Sequence, residues 1–269
     1  MKLSKKDIYQ NEEEFHNLWA KTIDANKINV DDFFKACTAP ENRVILQKLG
    51  NISNKNILEV GCGSGEASVY FAKLGAKVIA TDLSDEMLLI AKKLAENNGV
   101  SIKTKKCSAS KIDFSTETFD IVYAANLLHH VDIKKTLKEC HRVLKKGGVF
   151  ISWDPLGHNP IINIYRRMAS MVRTSDEHPL KVSELALFKK HFSSTQYEAT
   201  WLFTQLIFLK FFFIDRIDPN VERYWKKIIQ DHKKLEKLYY RLEKIDKIVL
   251  STIPSLKRYC WNIIIFAAK

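Results

Sequence analysis

The 269-residue chain predicts an α/β fold, a doubly wound and mostly parallel sheet covered by helices on both faces. Two observations predict it. Between residues 56 and 153, short apolar runs alternate with helix-forming runs. The first apolar run (Ile57, Leu58, Val60) ends in Gly61-Cys62-Gly63-Ser64-Gly65 and passes at once into a helix-forming stretch. Strands alternating with helices imply parallel pairing, and glycines between strand and helix let the backbone turn tightly and let a ligand approach.

Residues 1–50 read as polar helices anchored by Phe15, Trp19, Phe33 and Phe34, an N-terminal helical cover on a main domain spanning 51–269. Strand 56–61 leads into helix 65–74. Strand 76–81 leads into helix 84–97, with Ser84 as N-cap and Asp85-Glu86 in its first turn. Strand 101–107 follows Gly99, strand 119–124 follows Thr118, and helix 133–145 ends in the turn Lys145-Lys146-Gly147-Gly148 before strand 149–153. Beyond Trp153, Pro155, Gly157, Pro160 and Pro179 surround an apparent helix, 161–172. Residues 201–214 are intensely apolar but too short to span a bilayer and broken by Lys210. A lysine-rich helix over about 219–250 and a final buried strand, from Tyr259 to Ala267, close the chain.

Composition narrows the class. At 46% hydrophobic and 28% charged, the chain is an ordinary globular one. Its five cysteines form no CxxC pair, which argues against a zinc site or disulfide framework and fits a reducing, cytoplasmic setting. No signal peptide is expected from the charged start Met1-Lys2-Leu3-Ser4-Lys5-Lys6. Of the net charge of +12, residues 202–269 carry 14 Lys/Arg against 7 Asp/Glu. Such a basic region can meet nucleic acid, an anionic membrane or an anionic substrate, or simply form a solvated helix surface.

The glycine turn needs a partner to be specific. A dinucleotide site wants a third glycine or alanine where Glu66 stands, and Glu66 would crowd the helix against the strand and repel a pyrophosphate. Asp82 closes the second strand 21 residues after Gly61, where a carboxylate can accept both ribose hydroxyls.

Glu59-Val60-Gly61-Cys62-Gly63-Ser64-Gly65, Asp82, Asn126-Leu127-Leu128-His129-His130-Val131 and Arg142 to Gly148 stand in the order found in a known family. Together they resemble the class I S-adenosylmethionine-dependent methyltransferases of the small-molecule type, over about 40% of the chain. The resemblance implies a Rossmann-like seven-stranded sheet whose last strand is antiparallel. It implies S-adenosyl-L-methionine as cofactor and S-adenosyl-L-homocysteine as product. In that reading Glu59 helps hold the amino group and Gly61, Gly63 and Gly65 lie along the methionine part. Asp82 takes the ribose, Leu83 and Met87 pack on the adenine, and Ser108, with Ala109 beside it, faces the adenine edge. Ser108 departs from the family, which offers an Asp there. Asn126 and the His129-His130 step fall near the methyl group. No metal is implied.

The acceptor side is read from residues 154–180 and 200–257, two expected pocket-forming insertions. Asp154, Asn159, Tyr165, Arg166, Arg173 and His178 are candidate substrate contacts, and His130, His158 and His129 are candidate bases. The apolar stretch 201–214 is expected to form a lid. An apolar, lipid-like or glycan-like small molecule methylated on oxygen is the favoured acceptor, with peripheral contact to an anionic membrane allowed by the adjacent basic charge. RNA methylation and a non-catalytic cofactor-binding subunit are the alternatives. Nucleic acid is disfavoured because no RNA-binding module or stacking platform is visible. Oligomeric state is open.

Overall fold

The computed structural model describes residues 5–169, 171 and 177–269, with side chains from residue 9 onward. Arg173 lies outside the described residues. In chain order the elements are α1 (Lys5–Ala20), α2 (Val30–Lys35), α3 (Pro40–Leu49), β1 (Asn56–Val60), α4 (Glu66–Lys73), β2 (Lys77–Asp82), α5 (Asp85–Asn97), β3 (Lys103–Lys106), β4 (Phe119–Ala125) and α6 (Ile133–Val143). They continue as β5 (Leu144–Pro155), α7 (Pro160–Met168), α8 (Leu185–Phe188), β6 (Ser194–Thr200), α9 (Leu206–Phe213), α10 (Tyr224–Gln230), α11 (His232–Thr252) and β7 (Asn262–Ala268).

The seven strands lie in the order β3-β2-β1-β4-β5-β7-β6. Pairing is parallel from β3 to β5, and β7 runs antiparallel to both β5 and β6. The strand order reverses between β1 and β4, so a crevice opens beyond their carboxyl ends, the usual ligand position in such sheets. Side chains alternate across the sheet. Leu58, Val60, Val122 and Phe150 pack on one face with Leu137 and Cys140 of α6, while Ile57, Tyr123 and Ile151 pack on the other with Phe34 and Phe71. Burial on both faces is why these strands read as continuous apolar runs.

Several boundaries differ from the sequence expectation. Helix 133–145 stops at Val143, and β5 begins at Leu144 with a register shift opposite Phe119 and Ile121. The lysine-rich helix is two helices, α10 and α11, separated at Asp231. β6 lies where no strand is expected from the sequence. Its residues Ser-Thr-Gln-Tyr-Glu-Ala-Thr form an edge strand that is exposed or half-exposed at every position but Ala199, so its apolar signal is weak.

The apolar run 201–214 does not itself face a ligand space over α9. Ile207, Phe208 and Phe211 enter a third core with Ile162, Tyr165, Tyr224, Ile228, Leu235 and Tyr239. This core buttresses the helices after β5. No described helix is long and apolar enough to cross a membrane.

Candidate active site

The turn after β1 is tied to the end of β2 by Asp82. Its Oδ2 accepts the Gly63 N–H (2.9 Å) and its Oδ1 the Ser84 N–H (2.9 Å). Gly63 has φ +51°, and a Cβ there would meet nothing within 4 Å, so its backbone borders open space. Gly65, at φ +85°, packs closely on α5; a Cβ would lie 2.6 Å from Ala91 Cβ. Gly65 therefore supplies the close helix packing, which leaves the next residue, Glu66, open to a cavity.

That cavity measures about 290 Å³ and sits over the crevice. Glu59, Gly61, Gly63, Asp82, Leu83, Ala109 and Asn126 line it, as do His129, His130, Tyr165 and Arg166. Other expected site residues lie elsewhere. Met87, in the first turn of α5, is fully buried, and Ser108 is occupied with Ser110 (Oγ to Oγ 3.1 Å). His158 and His178 are outside the lining. Asn159 is fully buried as the N-cap of α7, accepting the Ile162 N–H (3.0 Å) and donating to Gln205 Oε1 (2.7 Å).

One end of the cavity is acidic. Glu59 is buried, accepts a hydrogen bond from Ser68, and is pushed up to about 8 by burial, with the charges of Glu66 and Asp82 adding to the shift. Burial also raises the Glu66 carboxyl. Three carboxyl groups facing one space are costly to ionise together and are relieved by a cation.

Past this end, His129 Nδ1 lies 2.8 Å from Asp154 Oδ1, and the same oxygen accepts the His129 backbone N–H (3.3 Å). A backbone N–H only donates, so this oxygen is an acceptor and Nδ1 carries the proton. Asp154 is fully buried, which raises its carboxyl well above the usual range. His130 Nδ1 lies 3.1 Å from Glu12 Oε1 on α1. Among the described residues, His129, His130 and Glu177 place ligand-type atoms within 4.8 Å of one another. The Arg166 guanidinium already sits 2.6 Å from Glu177, and its charge works against a second cation on that carboxylate.

Much of the wall comes from residues outside the expected site. Tyr9, Glu12, Phe15, His16 and Trp19 of α1 line the cavity, and all five tryptophans of the chain do so. α1 is fastened by Tyr9 OH to Ser110 Oγ (2.6 Å) and Ser84 Oγ to Asn17 Oδ1 (2.6 Å), and Trp19 packs edge-on against Trp225. Phe15 and Trp19, four apart on one helix, were the available signal.

Residues 58–152 match the family model described as a methyltransferase domain. Residues 58–152 thus form a methyltransferase domain. The chain is 33% identical over 118 residues to a ubiquinone biosynthesis O-methyltransferase of Pseudomonas syringae, covering 43% of this chain and 50% of the relative. It is 34% identical over 118 residues to the sterol 4-C-methyltransferase strm-1 of Caenorhabditis elegans, covering 43% and 35%. The chain thus spans about half the length, or less, of these curated relatives. In fold it resembles the phosphoethanolamine N-methyltransferase 2 of Haemonchus contortus solved with S-adenosyl-L-methionine, at TM-score 0.56 and 18% identity, over 90% of this chain and 60% of that one.

The methyltransferase domain has residues that fit its methyl donor. The donor carries an ammonium and a sulfonium, and the acid-lined end around Glu59 and Glu66 supplies the complementary charge. The open space over Gly63 admits a ligand against the backbone.

Proposed function

We propose that the chain transfers a methyl group from S-adenosyl-L-methionine to a small organic acceptor, lipid-like or glycan-like, on oxygen. The observation that carries this reading is the continuity of one cavity from the acidic cradle to the His129–Asp154 pair. The bound donor supplies an activated methyl group on sulfur. Glu59 holds its ammonium, Asp82 its ribose hydroxyls, and the walls keep water out while the acceptor oxygen is aligned. Asp154 fixes the His129 ring with the proton on Nδ1, so His129 Nε2 takes the proton that the acceptor hydroxyl loses. His130, bonded to Glu12, positions the acceptor beside it.

In this reading residues 1–50 act as the cover, and the segments 154–180 and 200–257 furnish acceptor walls through Tyr165, Arg166, Trp201 and Trp225. The aromatic lining favours an acceptor with apolar faces. The test is incubation with methyl-labelled donor and fractionated cell extract. Label in lipid, glycan or small-molecule fractions is the expected result. Label confined to RNA, or no label from a chain that binds the donor, would overturn it.

A further inference from the structure

The cavity has an inner end whose polar atoms neither the cradle nor the His129–Asp154 pair uses. Asn42, Trp201 and Asn262 line it and are 3%, 1% and 3% exposed. Asn42 Oδ1, Trp201 Nε1 and Asn262 Oδ1 have no hydrogen-bond partner. The amide orientations follow from their other ends: Asn42 Nδ2 donates to the Phe33 carbonyl (3.0 Å) and Asn262 Nδ2 to Glu41 Oε1 (2.9 Å). The oxygens are therefore the orphaned atoms. Buried polar groups left unpaired are costly, and three on residues lining one chamber call for an occupant.

The chemistry of the occupant follows from the set. Glu41, buried beside Asn262, also accepts from Thr200, and burial raises its carboxyl. Two amide oxygens and a carboxylate thus outnumber one indole N–H. The walls are aromatic: Trp201 and Trp261 pack edge to face (5.6 Å), and Trp153 Nε1 donates to Tyr123 OH (3.0 Å). Several acceptors, a buried acid and ring faces together suit a compact cation with N–H donors.

We propose that this inner chamber recognises an ammonium group on the methyl acceptor, held by Glu41, Asn42 and Asn262 between the rings of Trp153, Trp201 and Trp261. The proposal rests on the methyltransferase reading only in calling the ligand the methyl acceptor. The ammonium is a recognition group, apart from the oxygen that is methylated.

The test is calorimetric titration of the full chain, with and without S-adenosyl-L-homocysteine, using tryptamine and 2-phenylethylamine against their N-acetyl derivatives. The amines should bind at least about tenfold more tightly than the uncharged derivatives. Glu41→Gln keeps an oxygen for Thr200 and Asn262 but removes the charge. It should abolish the preference and leave S-adenosyl-L-homocysteine affinity unchanged. Equal binding of amine and N-acetyl derivative, no amine binding up to about 10 mM, or a preference intact in Glu41→Gln would overturn the site. If that variant does not fold, the wild-type ratio decides alone. Failure to bind S-adenosyl-L-homocysteine, with the amine preference present, would count against the methyltransferase reading instead.

Discussion

His129 Nδ1 sits 2.8 Å from Oδ1 of Asp154, a carboxyl group fully buried behind it. The pair joins the end of β4 to the end of β5 and aims one imidazole at the cavity. His129→Ala should lower kcat by about 10²- to 10⁴-fold while S-adenosyl-L-homocysteine affinity holds. Asp154→Asn keeps an oxygen for the His129 N–H groups but removes the group whose ionised form would stabilise the imidazolium. It should shift the acidic limb of the pH–rate profile to lower pH, read by initial rates across pH 5–9.

Asp82 closes the cradle by accepting from both Gly63 and Ser84. Asp82→Ala removes the acceptor of two backbone donors and, in the proposed reading, of the ribose hydroxyls. Donor affinity should fall roughly 10- to 100-fold, measured by calorimetry.

Glu59 gives a proton-linked signature. In the free protein burial pushes its carboxyl up to about 8, so at pH 7 it is mostly protonated. An ammonium ligand requires the carboxylate, so binding should release a proton, and affinity should rise as pH climbs from 6 toward 8. Titration at pH 7 in two buffers of different ionisation heat should show release approaching one proton. Glu59→Gln should show none from this group. The same shift bears on folding. A carboxyl raised above its ordinary 4.5 costs no stability below that pH, and the cost grows as pH rises to about 8.

Gly65 combines φ +85° with close packing on Ala91. Gly65→Ala should cost about 2–4 kcal/mol of stability, seen as a lower urea midpoint. Gly63→Ala has open space for its Cβ, so its effect should fall mainly on donor binding, with backbone strain at φ +51° adding a smaller stability loss.

α1 is held across the cavity by Tyr9, Asn17 and Trp19, with the Arg223 guanidinium 4.0 Å from the Trp19 ring. Trp19→Ala should loosen that hold and speed S-adenosyl-L-homocysteine dissociation several-fold in stopped-flow chase experiments, with a smaller change in association.

The sheet and cradle were legible because their signals are local. A buried strand, a glycine turn and an acid at the next strand's end all fall within residues 56–82. The His129-His130 step stands in the sequence as well, but the Asp154 partner of His129 comes beside it only in the fold. The polar turns after β5 misled: Asn159 serves the backbone of α7 rather than a ligand, because a helix start must satisfy its own N–H groups. The inner chamber was invisible because Glu41 and Asn262, 221 residues apart in the chain, meet only after β7 docks beside β5. Likewise Tyr9 reaches Ser110 across 101 residues with no periodic signal to mark it.

The lining of one cavity by all five tryptophans has a practical consequence. Every indole that can emit stands at the ligand space, with no distant tryptophan to contribute a constant background. The unlabelled protein is therefore its own optical sensor. Quenching or a spectral shift on adding a candidate acceptor reports occupancy directly, so libraries can be screened by intrinsic fluorescence before any product has been identified.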